Sequence, residues 1–445
     1  MTKIPRQAGT TRSLALQEKG KQLLPGLSQL LSKRPDMFAP GVWPGYYSRA
    51  KGAAVWDLDG NQYTDMSISG IGANILGYAD PDVDAAVKRA IESGSSCSLN
   101  CPEEVELAEL MCDLHPWAQM VRYARSGGEA MAIAVRIARA ATGRDKIAFC
   151  GYHGWHDWYL AANLETDNAL GEHLLPGLDP RGVPQGLKGT ALAFRYNHPE
   201  ELRTIVQNHK PQLAAIVMEP IRTDWPKEGF FDQVISMTRE CGAVFVLDEI
   251  SAGFRMLTGG AHIKIGVTPD MAVFSKAMGN GYPIAAVIGK TEVMEAVQNT
   301  FVSSTNWTER IGPTAAIATI KKHRLTNTGS HLMRLGQRVQ EGWEIAASNS
   351  GIPIHVNGIY PLSHFVFETG DPLAVKALFV QLMMERGYLA TTMYYPMLAH
   401  RDSHVDGYLE ACQEVFGELA VHLRNGTLRQ VMKGKPATSG FSRLT

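Results

Sequence analysis

Seven short apolar runs lie between Met120 and Gly289, and they constrain the fold of this chain more than any other feature. Each run is largely continuous rather than alternating, and stretches with helical periodicity separate most of them. Because a half-exposed strand alternates apolar and polar residues, continuous runs indicate strands buried on both faces of a mostly parallel sheet. In chain order the runs are MVRYAR, KIAFCG, TALAFR, LAAIVME, AVFVLDE, MAVFSK and IAAVIG.

The two ends of the chain indicate a second, smaller unit. Residues 52–69 alternate around Asp59-Gly60-Asn61 and predict a β-hairpin with a tight turn. We expect an N-terminal arm and hairpin over residues 1–69, a large domain over 70–324, and a C-terminal segment over 325–445 that joins the hairpin, because chain ends often pack together. The predicted fold class is α/β, with helices flanking the sheet of the large domain and a smaller α+β domain built from both chain ends.

Composition limits the kinds of partner. The 445-residue chain has a net charge of −1, so it carries no basic excess for nucleic acid. No uncharged apolar run reaches the roughly 18 residues of a membrane helix, and the N-terminal segment lacks the apolar core of a secretory signal. The six cysteines are irregularly spaced, which favours reduced thiols and a cytoplasmic location. We therefore expect small-molecule partners, no nucleic acid and no membrane.

A small-residue turn follows the first apolar run, where SGGEA at residues 126–130 joins MVRYAR to a helical stretch. A strand, a glycine turn and a helix N-terminus together favour anion binding, because free N–H groups and the helix dipole point at the ligand. Gly127 and Gly128 would let a phosphate approach the backbone, and an ordinary glycine turn is the alternative. A second glycine cluster, SGIGANILG, has Ile75 where a dinucleotide motif needs glycine.

The second run ends in an aromatic segment, YHGWHDW, at residues 152–158. His153, His156 and Asp157 could bind a metal, but the segment follows a strand and offers no third histidine. Aromatic side chains at a strand end fit another purpose better, because Tyr152 offers a flat surface on which a planar ring can stack. A core-filling role for the aromatic residues stays open, and we predict no metal site.

Charged residues end two further runs: Asp248 and Glu249 follow AVFVL, and Lys276 follows MAVFS. A carboxylate after an apolar strand is costly to bury unless it meets a cation or a protonated ring nitrogen. Desolvation lowers the pKa of a lysine and exposes a nucleophilic amine. A simple Asp248–Lys276 ion pair is the alternative. A phosphate turn, a stacking surface, a carboxylate and a reactive amine together suit pyridoxal 5′-phosphate (PLP).

With these residues in place, the chain resembles the class III (subgroup II) aminotransferases of PLP fold type I, and among them the glutamate-1-semialdehyde aminomutase branch. The resemblance extends from about Gly52 to the last predicted helix, which is nearly the whole chain. The motifs that carry it, in family order, are GAAVWDLDGNQYTDM, SGGEA, ATGRDKI, YHG, MEP, DEISAGFR, GVTPDMAVFSKAMGNGYPIAAVIG and LAH.

The resemblance implies a role for each matching residue. Lys276 corresponds to the Schiff-base lysine that also carries the proton, Asp248 to the partner of the pyridine nitrogen, and Tyr152 to the ring-stacking residue. Thr305 matches a threonine that reaches the phosphate of the neighbouring subunit's cofactor, which implies a homodimer with shared active sites. The implied catalytic residues are Lys276, Asp248 and Tyr152, and the implied cofactor-binding residues are Ser126, Gly127, Gly128, Tyr152, His153, Glu219, Asp248, Ser251, Lys276 and Thr305.

The chain also departs from the family pattern. The usual Ser-Gly-Thr is Ser126-Gly127-Gly128 here, which removes a hydroxyl from the phosphate turn. The arginine that holds the substrate carboxylate in the aminomutases has no match beyond Lys33 or Arg34, which are displaced by one or two positions. We therefore predict a PLP-dependent aminotransferase that moves an amino group from an amine or amino acid donor to a carbonyl acceptor. The alternative is an aminomutase, which moves the amine within one molecule.

Overall fold

The computed structural model describes residues 11–166, 168–173, 177–221 and 223–440. The chain forms two compact units, one from the residues up to Asp80 together with those from Ser330 onward, and the other over Pro81–Gly329. The beginning of the predicted arm, residues 1–10, lies outside the described residues. The domain boundaries at 69/70 and 324/325 stay predictions.

Both units contain helices and strands, and the larger one alternates them. The strands are β1 Tyr47–Lys51, β2 Ala54–Asp57, β3 Gln62–Met66, β4 Met120–Ala124, β5 Lys146–Cys150, β6 Ala191–Ala193, β7 Leu213–Met218, β8 Val244–Asp248, β9 Met271–Phe274, β10 Ala285–Gly289, β11 Ile354–Asn357, β12 Ser363–Phe367, β13 Tyr388–Ala390 and β14 Met393–Tyr394. The helices are α1 Thr11–Leu23, α2 Pro81–Glu92, α3 Glu103–Leu114, α4 Gly127–Thr142, α5 Asp157–Leu160, α6 Pro199–His209, α7 Phe230–Cys241, α8 Ala261–Ile265, α9 Thr291–Met294, α10 Ile311–Leu325, α11 Thr328–Ser350, α12 Pro372–Glu385, α13 Asp402–Arg424 and α14 Leu428–Val431. Among these helices of the described residues, none has the length and apolar character needed to cross a bilayer.

The larger unit contains a seven-stranded sheet in the order β4-β10-β9-β8-β7-β5-β6. Each of the seven apolar runs supplies one strand, and every residue of β7 and β8 is buried. The pairs β5–β6, β5–β7, β7–β8 and β8–β9 are parallel, whereas β10 pairs antiparallel with both β4 and β9. The predicted mostly parallel sheet is therefore confirmed, with β10 as its reversed strand.

The other unit has two small sheets, in the orders β1-β2-β3-β13 and β11-β12-β14. Strands β2 and β3 form the predicted antiparallel hairpin, whose turn contains Gly60 at φ +87°, a conformation that favours glycine. Strand β13 adds parallel to β3, so one sheet combines segments from both parts of the chain. The core of this unit packs Trp343, Phe365, Phe379 and Phe416 edge to face and tilted against one another.

Two of the glycines inside the long helices of this unit differ in their surroundings. A Cβ on Gly336, in α11, would overlap the backbone carbonyl of Tyr360. A Cβ on Gly417, in α13, would meet no atom within 4 Å. The first glycine is therefore required by a close approach between two segments, whereas the second is not.

We expect Gly336→Ala to lower the free energy of unfolding by about 1–3 kcal/mol or more, because the new methyl group must displace backbone. Gly417→Ala is the matched control and should raise it by about 0.5–1 kcal/mol, because alanine has the higher helix propensity. Urea titrations of the three proteins measure both effects. Equal effects of the two substitutions would contradict the role of the close approach.

His400 is fully buried in the same unit and is held in its neutral form. Its Nε2–H donates a hydrogen bond of 2.7 Å to the carbonyl oxygen of Asp65, and its Nδ1 accepts one of 3.0 Å from the N–H of Met397. Burial lowers the pKa of His400 to about 3, far below the ordinary histidine value. The unfolded chain therefore binds a proton at this position near pH 6, whereas the folded chain does not.

We expect the free energy of unfolding to fall as the pH drops from about 6.5 toward 3, since protons then bind only to unfolded His400 in that range. One such group contributes at most about 1.4 kcal/mol per pH unit. A His400→Gln variant should be less stable at pH 7 but should lose stability more slowly below pH 6. Urea midpoints measured across this pH range test the difference, and parallel curves for the two proteins would rule it out.

Candidate active site

The predicted site residues lie at one edge of the seven-stranded sheet. Because β10 alone is reversed, the carboxyl ends of the six other strands point to the same edge. Open parallel sheets bind their ligands at this edge. The residues that follow the strands are Ser126, Gly127 and Gly128 after β4, Tyr152 and His153 after β5, Glu219 after β7, Asp248 and Ser251 at and after β8, and Lys276 after β9.

Helix α4 begins directly at the glycine turn, and its first N–H groups have no acceptor within the helix. Glu129 turns back to accept hydrogen bonds from the N–H groups of Arg125, at 2.9 Å, and Ser126, at 3.3 Å. A Cβ on Gly127 would stand 2.9 Å from Cδ1 of Ile250, so a side chain has no room there. The turn is thus a cradle of backbone N–H groups, which suits an anion.

Asp248 and His153 form the most deeply buried contact of the site. Oδ2 of Asp248 lies 2.8 Å from Nδ1 of His153, and Nε2 of His153 lies 3.1 Å from the carbonyl oxygen of Cys150. A carbonyl oxygen can only accept, so the contact with Cys150 places a hydrogen on Nε2 of His153. The other oxygen, Oδ1, accepts a hydrogen bond of 3.0 Å from the N–H of Ile250. Protein atoms therefore engage both ring nitrogens of His153.

Lys276 begins a short 3₁₀ turn, Lys276–Gly279, two residues after β9. Its Nζ donates a hydrogen bond of 2.8 Å to Oγ of Ser251, and the side chain is partly buried. The backbone φ is +45°, in the left-handed region, which costs a residue other than glycine about 1–3 kcal/mol. Such a conformation persists only where the surrounding structure imposes it. It fixes the position and direction in which the Lys276 side chain leaves the backbone.

Tyr152 and Glu219 follow the adjacent strands β5 and β7. Glu219 is 6% exposed and accepts a hydrogen bond of 3.1 Å from the N–H of Tyr152. Gly151 has φ +110°, and a Cβ there would stand 2.7 Å from Oε2 of Glu219. The ring of Tyr152 is partly buried and meets Tyr159 edge-on, with 6.2 Å between ring centroids. Glu219 therefore holds the backbone of Tyr152 in place through this hydrogen bond.

Thr305 is not joined to this group by any hydrogen bond or ion pair among the described residues. It is exposed and begins the 3₁₀ turn Thr305–Thr308. The end of that turn is tied to β4, because the guanidinium of Arg125 donates hydrogen bonds of 2.9 Å to the carbonyl oxygens of Trp307 and Glu309. This function of Arg125 was not predicted from the sequence, where its place at a strand end is the available signal.

The sequence analysis also gave no role to Glu249, which is fully buried next to Asp248. Its carboxylate accepts hydrogen bonds from the N–H of Ala261 at 2.9 Å, the N–H of His262 at 2.9 Å and Nδ1 of His262 at 2.7 Å. Three donors satisfy a charge that would otherwise be very costly to bury. Glu249 thereby anchors the segment that carries Ser251. The signal was present, since a second carboxylate directly after an apolar run also needs partners.

Three further aromatic residues divide between the two units. Trp155 belongs to the larger unit and is 69% exposed. Trp43 belongs to the other unit, where it stacks on Phe38 with 4.4 Å between ring centroids. Tyr394, in that unit too, is fully buried and its hydroxyl lies 3.2 Å from Nδ1 of His400, so it is a core residue.

The residues present at the sheet edge fit PLP. The glycine cradle at the start of α4 suits its phosphate, and the buried carboxylate of Asp248 suits a protonated ring nitrogen. The amine of Lys276 is a nucleophile of the kind that its aldehyde requires. An aromatic side chain, Tyr152, lies among them for the ring.

Comparison with known proteins gives a family match and a curated relative. The family model "Aminotransferase class-III" matches residues 38–416. The 3-aminobutyryl-CoA aminotransferase of Cloacimonas acidaminovorans (strain Evry) is 31% identical over 421 residues, which cover 92% of this chain and 97% of that protein. Both matches extend across the two units.

Two solved structures share the fold. The FumI protein of Sphingopyxis sp. MTA144, in a PLP form, superposes with a TM-score of 0.83 at 24% identity and covers 96% of this chain and 99% of its own. A glutamate-1-semialdehyde aminomutase of Pseudomonas aeruginosa PAO1 gives a TM-score of 0.79 at 21% identity, with 92% and 95% covered. At these identities the two structures bear on the fold alone. The family match and the curated relative show that the chain belongs to the class III aminotransferases, which are PLP-dependent enzymes.

Proposed function

We propose that the sheet-edge residues form the PLP site of this aminotransferase, with Lys276 binding the aldehyde and Asp248 facing the pyridine nitrogen. One observation carries the proposal: an amine and a buried carboxylate follow the neighbouring strands β9 and β8 at the same sheet edge. Gly127 and Gly128 would hold the phosphate with Ser126, and Tyr152 would stack on the ring. His153 and Glu219 would act by fixing Asp248 and Tyr152, respectively.

PLP supplies an electron sink for the carbanion that forms when the amine-bearing carbon loses its proton. Nζ of Lys276, as a free amine, would accept that proton as a general base and return it as a general acid, within a segment where Ser251 holds the amine. The carboxylate of Asp248 would face a protonated ring nitrogen, and His153 holds that carboxylate in place through the contact of 2.8 Å between Nδ1 and Oδ2. Burial of this pair excludes water and strengthens the electrostatic attraction.

The substrates are an amine donor and a carbonyl acceptor. The name of the curated relative makes 3-aminobutyryl-CoA the first donor to test, followed by a panel of amines and amino acids. The aminomutase alternative has less support, because Arg34 is only 5% exposed and its guanidinium is engaged by both carboxylate oxygens of Asp36, at 3.0 and 2.7 Å. Turnover that requires a second carbonyl compound would distinguish transfer between molecules from transfer within one.

We further propose a cytoplasmic homodimer. All six cysteines are free thiols, which suits a reducing compartment. Phe301 and Leu99 are 91% and 79% exposed, and such apolar side chains favour a subunit interface. Thr305 lies four residues from Phe301 and is exposed too, so it could reach a partner's cofactor phosphate. Sedimentation at several concentrations tests the dimer, and a monomer at all of them would exclude it.

Lys276→Ala should lower turnover by about 10²–10⁴-fold or more, because the general base and the covalent anchor are both removed. Borohydride reduction followed by peptide mapping should place the PLP label on Lys276 in the wild type. The matched control is Lys290→Ala, which removes a lysine that pairs with Asp270 at 2.7 Å. It should keep both the label and the activity. A label on another residue would overturn the assignment of Lys276.

Asp248→Asn should lower turnover by about 10²-fold or more, because an amide cannot stabilise a positive ring nitrogen. His153→Phe should have a smaller effect, because it removes the partner that orients the carboxylate but leaves the charge. Turnover is measured with the fold checked by circular dichroism. An Asp248→Asn enzyme of unchanged turnover would remove Asp248 from the mechanism.

A further inference from the structure

The first turn of α4 lies against His156, a residue that the proposed function leaves without a role. A Cβ on Gly128 would stand 3.2 Å from Cδ2 and 3.6 Å from Nε2 of His156. The backbones also meet, since a Cβ on Gly154 would stand 2.9 Å from Cα of Gly128. The imidazole edge that contains Nε2 therefore faces the glycine turn. A larger side chain at position 128 would compete with it for space.

His156 is held in this place by its neighbours. Its ring stacks on Trp155, with 4.5 Å between centroids and 29° between planes. Its carbonyl oxygen accepts hydrogen bonds from the N–H groups of Tyr159, at 2.9 Å, and Leu160, at 3.1 Å. The imidazole makes no hydrogen bond with any residue in the described part of the chain. It is half-buried, so its ring nitrogens are available at the edge of the site.

The protonation state of His156 suits donation of one hydrogen bond. Burial lowers the pKa of His156, and the nearby carboxylates of Glu129 and Asp157 offset only part of this effect. A neutral imidazole carries one N–H donor. The carboxylate of Glu129, the anionic group of this helix start, is engaged by the N–H groups of Arg125 and Ser126.

We propose that His156 donates a hydrogen bond from Nε2 to the phosphate of the cofactor, in place of the hydroxyl that is absent at Gly128. The inference rests on the proposed PLP site. It explains two features together, because the glycine at position 128 makes room for the ring and the ring supplies the donor that glycine lacks. Phosphate specificity at this site then depends on a residue of the aromatic segment as well as on the turn.

Titration of the apoenzyme with PLP and with pyridoxal, which lacks the phosphate, tests the proposal. His156→Phe keeps a flat ring against Gly128 but removes the N–H, whereas His156→Gln keeps a donor and loses the ring. We expect His156→Phe to weaken PLP binding by about tenfold to a hundredfold, as for a lost hydrogen bond to a charged group. His156→Gln should stay near the wild type. Pyridoxal binding should be the same in all three proteins.

The outcomes separate this inference from the proposed function. A wild-type protein that binds neither compound would overturn the PLP site and the role of His156 together. Normal PLP binding by wild type and by His156→Phe would overturn the role of His156 alone. An equal loss of PLP and pyridoxal binding in His156→Phe would also overturn it, because a packing role does not distinguish the two compounds.

A double variant that moves the donor from position 156 to position 128 provides a second measurement. Gly128→Thr alone should weaken PLP binding, because its Cβ crowds His156. Adding His156→Ala should restore affinity, since the threonine hydroxyl can then take over the hydrogen bond. If the losses of PLP affinity from the two substitutions simply add in the double variant, the threonine hydroxyl does not replace the imidazole, because independent sites are additive. Thermal unfolding of each variant shows whether it is folded.

Discussion

The buried contact between Asp248 and His153 is the interaction on which the rest of the site depends. It spans from the end of β8 to the end of β5, with β7 between them, so it joins segments that lie far apart in the sequence. Removing a carboxylate from water costs several kcal/mol unless it is paired and hydrogen-bonded. The imidazole and the N–H of Ile250 provide that pairing. The carboxylate can therefore be kept at a dry sheet edge, next to the strand that carries Lys276.

Much of this arrangement could be predicted from the sequence. Continuous apolar runs indicate buried strands, and residues directly after parallel strands must share an edge, which brings Asp248 and Lys276 together. The direction of β10 could not be read from its apolar pattern, because an antiparallel strand buried on both faces has the same composition. The connection over residues 275–284 was the available signal, since it is shorter than the roughly one dozen residues that a parallel crossover needs.

Contacts between side chains of distant segments were beyond sequence reasoning. No periodicity predicts that His153 bonds to Asp248 and not to a metal, or that Gly336 faces a carbonyl of another segment. The same holds for Ile250, which packs over Gly127 and so explains a glycine that could have been an ordinary turn residue. At three positions of the site, Gly127, Gly128 and Gly151, the missing side chain is what allows two segments to meet.

The left-handed backbone at Lys276 has a consequence for the evolution of this chain. Its neighbours cannot take over the nucleophilic role proposed for Lys276, because Ser275 is buried and donates a hydrogen bond of 2.9 Å to the carbonyl oxygen of Ile284, while Ala277 is fully buried. An insertion or deletion of one residue here would put a serine or an alanine where the amine stands. The length of this turn is therefore constrained wherever the amine is required.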